Sequence, residues 1–160
     1  MKADTKWLRM ERTVNAPIAD VWAMWTRSEL FSQWYGPNGM TIPVAEMDVR
    51  PGGRRKICMD MKMPDRTMTM WFTGEYIDVT EPTRLAYTES MCDADGNLID
   101  PQTMGMPAGH PEVTEIIVEL EDVGGKTQLT LTHVGVLAGS RGAGGWAQAI
   151  EKLVGLVEAG

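Results

Sequence analysis

Four side chains in this sequence carry proton-transfer or polar-recognition chemistry among apolar neighbours: Tyr76, Tyr87, Glu89 and His133. Leu85, Tyr87, Glu89 and Met91 alternate with Ala86, Thr88 and Ser90, and Leu129, Leu131 and His133 alternate with Thr130 and Thr132. Every second side chain of a strand lies on one face. If that face points inward, the Glu89 carboxyl sits in apolar surroundings, where burial disfavours its charge and it needs a partner. Tyr76, Tyr87, Glu89 and His133 then form one polar cluster, able to serve as acid and base. The same residues also have a structural reading. A lone histidine beside leucines is more often a hydrogen-bonded core residue, and a glutamate near a strand end simply reaches solvent.

Other chemistries lack a signature. The two histidines, His110 and His133, are far apart, and no His-x-x-x-His or Cys-x-x-Cys pair exists, so neither a metal nor another cofactor is expected. No G-x-S-x-G elbow is present, and Cys58 falls on the polar side of its strand. The glycine-rich stretch 139–145 precedes a helix, where an anion could bind, but it lacks the Lys-Ser/Thr of a phosphate loop. No catalytic residue is assigned. Trp22, Trp25, Trp34, Trp71 and Trp146 suit either core packing or stacking on an aromatic ligand. Several of the thirteen methionines fall between 59 and 70. They form either an adaptable pocket wall or an ordinary core or dimer surface.

The element that positions these groups is the last one. Trp146, Ile150, Leu153 and Val157 recur at helical spacing, with Gln148, Glu151, Lys152 and Glu158 mostly opposite. An apolar helix face needs a partner surface, and the preceding chain supplies strands. The pattern predicts a strand over 8–14, a helix over 18–25 with Pro17 in its first turn, and a short helix over 29–34 behind Ser28. Strands follow over 41–49, 54–63, 67–79, 84–91, 112–121 and 127–134, with Gly74 marking a bend or a close approach. Arg54, Arg55 and Lys56 read as a solvated strand end. The stretch from Cys92 to Pro111 has no periodicity and reads as a mobile or functional loop, or as plain surface divergence. The architecture is a single α+β domain over residues 1–160, a long helix held against a curved antiparallel sheet.

Composition narrows the partners. A net charge of −7 argues against nucleic acid or an anionic membrane surface. No long apolar run and no secretory h-region appear, so neither a membrane span nor a secretory signal is expected. Two cysteines make no disulfide framework, so a reducing cytoplasm is the simplest setting, though a Cys58–Cys92 bridge is left open.

Several short motifs occur in order: Pro17, Val21-Trp22-Ala-Met-Trp25-Thr26, Gln33-Trp34-Tyr35-Gly36-Pro37, Arg50-Pro-Gly-Gly53, Thr73-Gly74-Glu-Tyr76, Pro82-Thr-Arg84-Leu85-Ala-Tyr87-Thr88, Thr127 to His133 and Gly145-Trp146. Together they resemble proteins related to the C-terminal domain of the activator of Hsp90 ATPase, over nearly the whole chain. The resemblance implies the helix-grip fold of the START/Bet v 1-like superfamily: seven strands curled around the C-terminal helix, two short helices between strands 1 and 2, and an apolar cavity. Two departures stand out, the long 92–111 loop and the glycines at 139, 142, 144 and 145 before the last helix.

The expected function is binding of a small hydrophobic or aromatic molecule between sheet and C-terminal helix, with Trp25, Trp34, Trp71, Tyr76, Tyr87, Glu89, Leu131, His133 and Trp146 as contacts. The alternatives are a cyclase- or dehydratase-type enzyme using a Tyr/Glu/His cluster, or a module touching an Hsp90-type chaperone. A homodimer is compatible with each. A cavity of roughly 300 Å3 or more separates binding from the chaperone reading.

Overall fold

The structure is a computed structural model and describes residues 7–104 and 111–159. Its strands are β1 (Trp7–Val14), β2 (Met40–Met47), β3 (Arg54–Lys62), β4 (Thr67–Thr80), β5 (Arg84–Cys92), β6 (Thr114–Val123) and β7 (Lys126–Leu137). Helices α1 (Ile18–Thr26) and α2 (Ser28–Phe31) lie between β1 and β2, and α3 (Arg141–Glu158) follows β7. The strands form one antiparallel sheet in the order β1-β7-β6-β5-β4-β3-β2. This is the helix-grip fold. The inward rows alternate as the sequence predicts: Thr114, Ile116, Val118 and Leu120 are buried on β6, and Leu129, Leu131 and His133 on β7. On α3, Ile150 and Leu153 are fully buried and Trp146 nearly so, while Val157 is half-buried.

The terminal helix begins earlier than the sequence suggests. Ser140 caps it by accepting a hydrogen bond from the Ala143 N–H, so Gly142, Gly144 and Gly145 are helical. Gly145 packs closely on the 35–37 turn: an added Cβ would lie 3.0 Å from Pro37 Cγ, so the proline would have to give way by a few tenths of an ångström. Gly74 marks a close approach, since a Cβ there would meet the Thr88 carbonyl at 1.9 Å; the register shift of β4 lies beyond it, between Tyr76 and Asp78.

Between 92 and 111 the chain has more local order than its composition suggests. Asp93 closes a turn by accepting from the N–H groups of Asp95 and Asn97, Leu98 bridges back to Cys92, and Pro101–Met104 form a 3-10 turn. The expectation of mobility also covers residues 105–110, outside the described residues, as does His110.

Two readings of β3 need correction. Arg55 is not at a solvated strand end; it is 2% exposed and shares the inward row with Ile57 and Met59. Cys58 is buried as well, on the opposite face from Met59. Cys58 pairs with Trp71 of β4, and Trp71 with Cys92 of β5. The cysteines are therefore two strands apart, about 9.5 Å from strand spacing alone, which is beyond disulfide reach of about 7 Å between Cα atoms. Both thiols are free.

Candidate functional site

The inward row of β5 carries Leu85, Tyr87 and Glu89, and that of β3 carries Arg55, so the sheet brings a cation and a carboxylate onto one buried face. Arg55 Nη1 lies 3.7 Å from Glu89 Oε2, an ion-pair distance too long for a hydrogen bond. The guanidinium stands 3.8 Å from the centroid of the Tyr87 ring, with Phe31, Tyr35 and Tyr76 around it at 5.4, 5.9 and 5.7 Å. Electron-rich ring faces stabilise a desolvated cation by about 2 kcal/mol in such settings. Arg55 Nε donates to the Tyr76 hydroxyl at 3.4 Å, while Nη1 and Nη2 have no hydrogen-bond acceptor. Burial works against the Arg55 charge, but the surrounding tyrosines and Glu89 outweigh it, and its pKa is held above the ordinary value.

Tyr35 completes this group from the turn after α2. Its hydroxyl donates to Glu89 Oε2 at 3.1 Å and lies 2.9 Å from the Tyr87 hydroxyl, which therefore donates to it. Burial raises the Glu89 pKa, and the opposing attraction of Arg55 and the Tyr35 hydrogen bond do not cancel that rise. Burial likewise pushes the Tyr35 and Tyr87 hydroxyls well above their ordinary range, so both are neutral donors near pH 7.

A second group joins β7 to α3. Trp146 Nε1 donates to His133 Nδ1 at 2.8 Å, and His133 Nε2 lies 2.8 Å from Thr114 Oγ1. Because Nδ1 accepts, the neutral ring carries its proton on Nε2 and donates to Thr114. Thr114 in turn donates its hydroxyl hydrogen bond to the Glu89 backbone carbonyl at 3.3 Å.

Between these groups lies a cavity of about 280 Å3. Met40, Met59, Met70 and Met91 form its sheet side with Phe72, and Trp146 and Ala149 of α3 face them. The turn Tyr35-Gly36-Pro37 forms a further wall, and α3 fixes that turn: Lys152 donates to the Pro37 carbonyl and Gln148 accepts from the Asn38 N–H. Glu89 and His133 supply polar atoms to the wall. No cluster of metal-binding side chains occurs among the described residues.

A family model described as Activator of Hsp90 ATPase homolog 1-like protein matches residues 15–158. The chain belongs to this family. A solved protein of Chromobacterium violaceum is similar at 22% identity and a TM-score of 0.77, covering 96% of this chain and 97% of its own. One from Staphylococcus epidermidis shares 23% identity with a TM-score of 0.74, over 99% and 93%. An AHSA1 protein of Silicibacter pomeroyi shares 19%, with a TM-score of 0.73 over 95% and 97%. At these identities the likeness concerns the fold. No curated protein matches the chain.

In this member of the Activator of Hsp90 ATPase homolog 1-like family, the nine expected contact residues divide into four sets. Glu89, His133 and Trp146 line the cavity. Tyr87 and Tyr76 lie behind Glu89, touching Arg55 rather than the open space. Trp25, Trp34 and Leu131 belong to the sealed core: Trp25 stacks on Trp146 at 6.1 Å and Trp34 donates to the Met24 carbonyl. Trp71 does not share their face. It lies in the row with Cys58 and Cys92, with Lys56 Nζ 5.1 Å from its ring centroid. Trp71 is consecutive with the inward-facing Met70 and Phe72, so strand alternation turns it away from the cavity. The expected four-residue cluster is two groups, because both His133 nitrogens bond elsewhere. The sequence reading missed Arg55 and Tyr35. Arg55 was signalled by its period-two spacing with Ile57 and Met59, which its charged neighbours masked.

Proposed function

We propose that this chain binds a compact, largely apolar molecule in the cavity between β3–β5, the 35–37 turn and the start of α3. The observation that carries this is a half-open cavity of about 280 Å3 walled mainly by four methionines, Phe72 and Trp146, with the Glu89 carboxylate in its wall and Glu112 exposed at its rim. Ligand sites are mostly apolar with few convergent polar groups. Thioether walls adapt to irregular shapes. The volume falls just short of the roughly 300 Å3 set above for a drug-sized site, so the binding reading holds only for a smaller ligand, a bicyclic aromatic and not a sterol or long fatty acid.

The test is a thermal-shift and tryptophan-fluorescence screen of bicyclic aromatics. A ligand at a hundred times its Kd stabilises the fold by about 2.7 kcal/mol. Met70→Trp fills the cavity from a half-buried strand position and abolishes binding. Leu131 is unsuited to this test, being core and not wall. Binding that survives in a folded Met70→Trp protein places the site elsewhere, and contact with a chaperone then becomes the better reading.

A second reading follows from Glu89. A carboxyl with a raised pKa beside an apolar cavity suits a general acid or base in a cyclase- or dehydratase-type reaction. Glu89→Gln separates the two, since it removes turnover completely but only alters the affinity of a bound ligand.

A further inference from the structure

The charges around the cavity specify the ligand's polar group, an inference that rests on the binding reading above. Glu89 Oε2 is already engaged by the Tyr35 hydroxyl and by Arg55. Glu89 Oε1 has no hydrogen bond among the described residues, and the side chain, 14% exposed, borders the cavity. The other polar side chains there have partners or face outward. His133 bonds to Trp146 and Thr114, Thr114 to the Glu89 carbonyl, and Glu112 is exposed at the rim. Ser90 also borders the cavity, but strand alternation turns its side chain to the face opposite Glu89. Among the described side chains the interior of the cavity therefore presents one open, strong acceptor, with the Glu112 carboxylate outside it at the rim.

Charge decides what fills it. Arg55 and Glu89 form a pair of zero net charge, and Arg55 is shielded behind the tyrosines rather than in the wall. An ammonium at Oε1 would leave one uncompensated positive charge against methionine and phenylalanine, which is costly in a low dielectric. A carboxylate would face the Glu89 carboxylate directly, like charge against like. A neutral hydroxyl adds no charge and gives Oε1 a charge-assisted O–H···O⁻ bond, of the stronger kind. Burial disfavours the bare carboxylate, and a donor relieves that cost. We infer that the cavity selects a compact, neutral aromatic or alicyclic alcohol whose hydroxyl donates to Glu89 Oε1.

Four probes on one ring system test this: naphthol, methylnaphthalene, naphthoate and naphthylmethylammonium, titrated by tryptophan fluorescence. Naphthol binds at least about tenfold more tightly than methylnaphthalene, as one charge-assisted hydrogen bond allows, and both charged probes bind more weakly than naphthol. Glu89→Gln keeps the size and an acceptor oxygen but removes the charge, so the naphthol-to-methylnaphthalene ratio falls several-fold. If that variant does not fold, the four wild-type affinities decide alone. Equal binding of naphthol and methylnaphthalene, lost in Met70→Trp, overturns the hydroxyl assignment and leaves the cavity reading standing. Tightest binding by the ammonium or the carboxylate overturns the charge argument. Binding by none of the four overturns the cavity reading for compact aromatics, and the alcohol inference with it.

Discussion

Trp146 gives its indole N–H to His133 Nδ1 at 2.8 Å, and this bond joins the terminal helix to the last strand inside the core. It also fixes which ring nitrogen of His133 carries the proton, so the histidine is a structural linker here and not a free base. Trp146→Phe keeps the aromatic packing but removes the donor. The expected cost is about 1–3 kcal/mol, because a buried acceptor loses its partner. Nitrogen NMR of the wild type shows the Nε2–H tautomer; a predominant Nδ1–H form would contradict the bond.

Arg55 and Glu89 make a second prediction. Truncating one member of a buried ion pair strands the other charge, at about 3–5 kcal/mol, whereas replacing both with apolar residues is far milder. Arg55→Met alone is therefore strongly destabilising, and Arg55→Met with Glu89→Leu recovers most of the loss. A double-mutant cycle in denaturant measures the coupling. Additive effects would show that the pair is not coupled.

The raised Glu89 pKa sets a pH dependence. The folded state holds this proton more tightly than the unfolded chain, whose glutamates titrate near about 4.3. The stabilisation is fully present below that pH and is lost as pH rises through the folded-state value. Relative to Glu89→Gln, which cannot titrate, the wild type therefore loses stability as pH rises from about 4. A wild type that gains relative to the variant over that range would mean that Arg55 depresses the Glu89 pKa.

The strands and their inward rows were legible because hydrophobic alternation is strong on β6 and β7 and the α3 stripe is regular; the pairing of β1 with β7 was not. The site was legible in part. Glu89, His133 and Trp146 follow from period and spacing, and all three border the cavity. Arg55 was obscured because its two sequence neighbours are also cationic, and local charge outweighed a period that places it beside Ile57. Tyr35 sits in a Gly-Pro turn, where no period exists to orient a side chain. Trp71 was misplaced because aromatic character was weighted over its alternation with Met70 and Phe72. Where helix α3 begins was obscured for a different reason: glycine is a poor helix former, and only the tight contact of Gly145 with Pro37 explains its presence there.

The two cysteines offer a check on strand register. Cys58 and Cys92 flank Trp71 from either side, so β4 stands between them. Burial raises both thiol pKa values, with Asp60 adding to the rise at Cys58, and this slows their oxidation. Under mild oxidant, thiol titration of the denatured protein still counts both groups as free. An intramolecular disulfide formed without loss of structure would require β3 and β5 to be neighbours, and would refute the sheet order.

The last prediction concerns the helix on which the fold depends. Leu153 is completely buried on the inner face of α3, one turn beyond Ile150 and two beyond Trp146. Leu153→Ala removes buried methyl groups and leaves a void that the sheet, pinned by its hydrogen-bond ladders, cannot fully close. The expected loss is about 2–5 kcal/mol. Lys152→Ala, one residue away, removes only a hydrogen bond to the Pro37 carbonyl and costs about 1 kcal/mol. That lysine nevertheless holds the turn carrying Tyr35 and Pro37, so its loss should weaken binding of a naphthol probe more than it weakens the fold. Denaturant titration of both variants, with probe affinity measured on each, separates the two roles. A Leu153→Ala protein as stable as the wild type would remove α3 from the core.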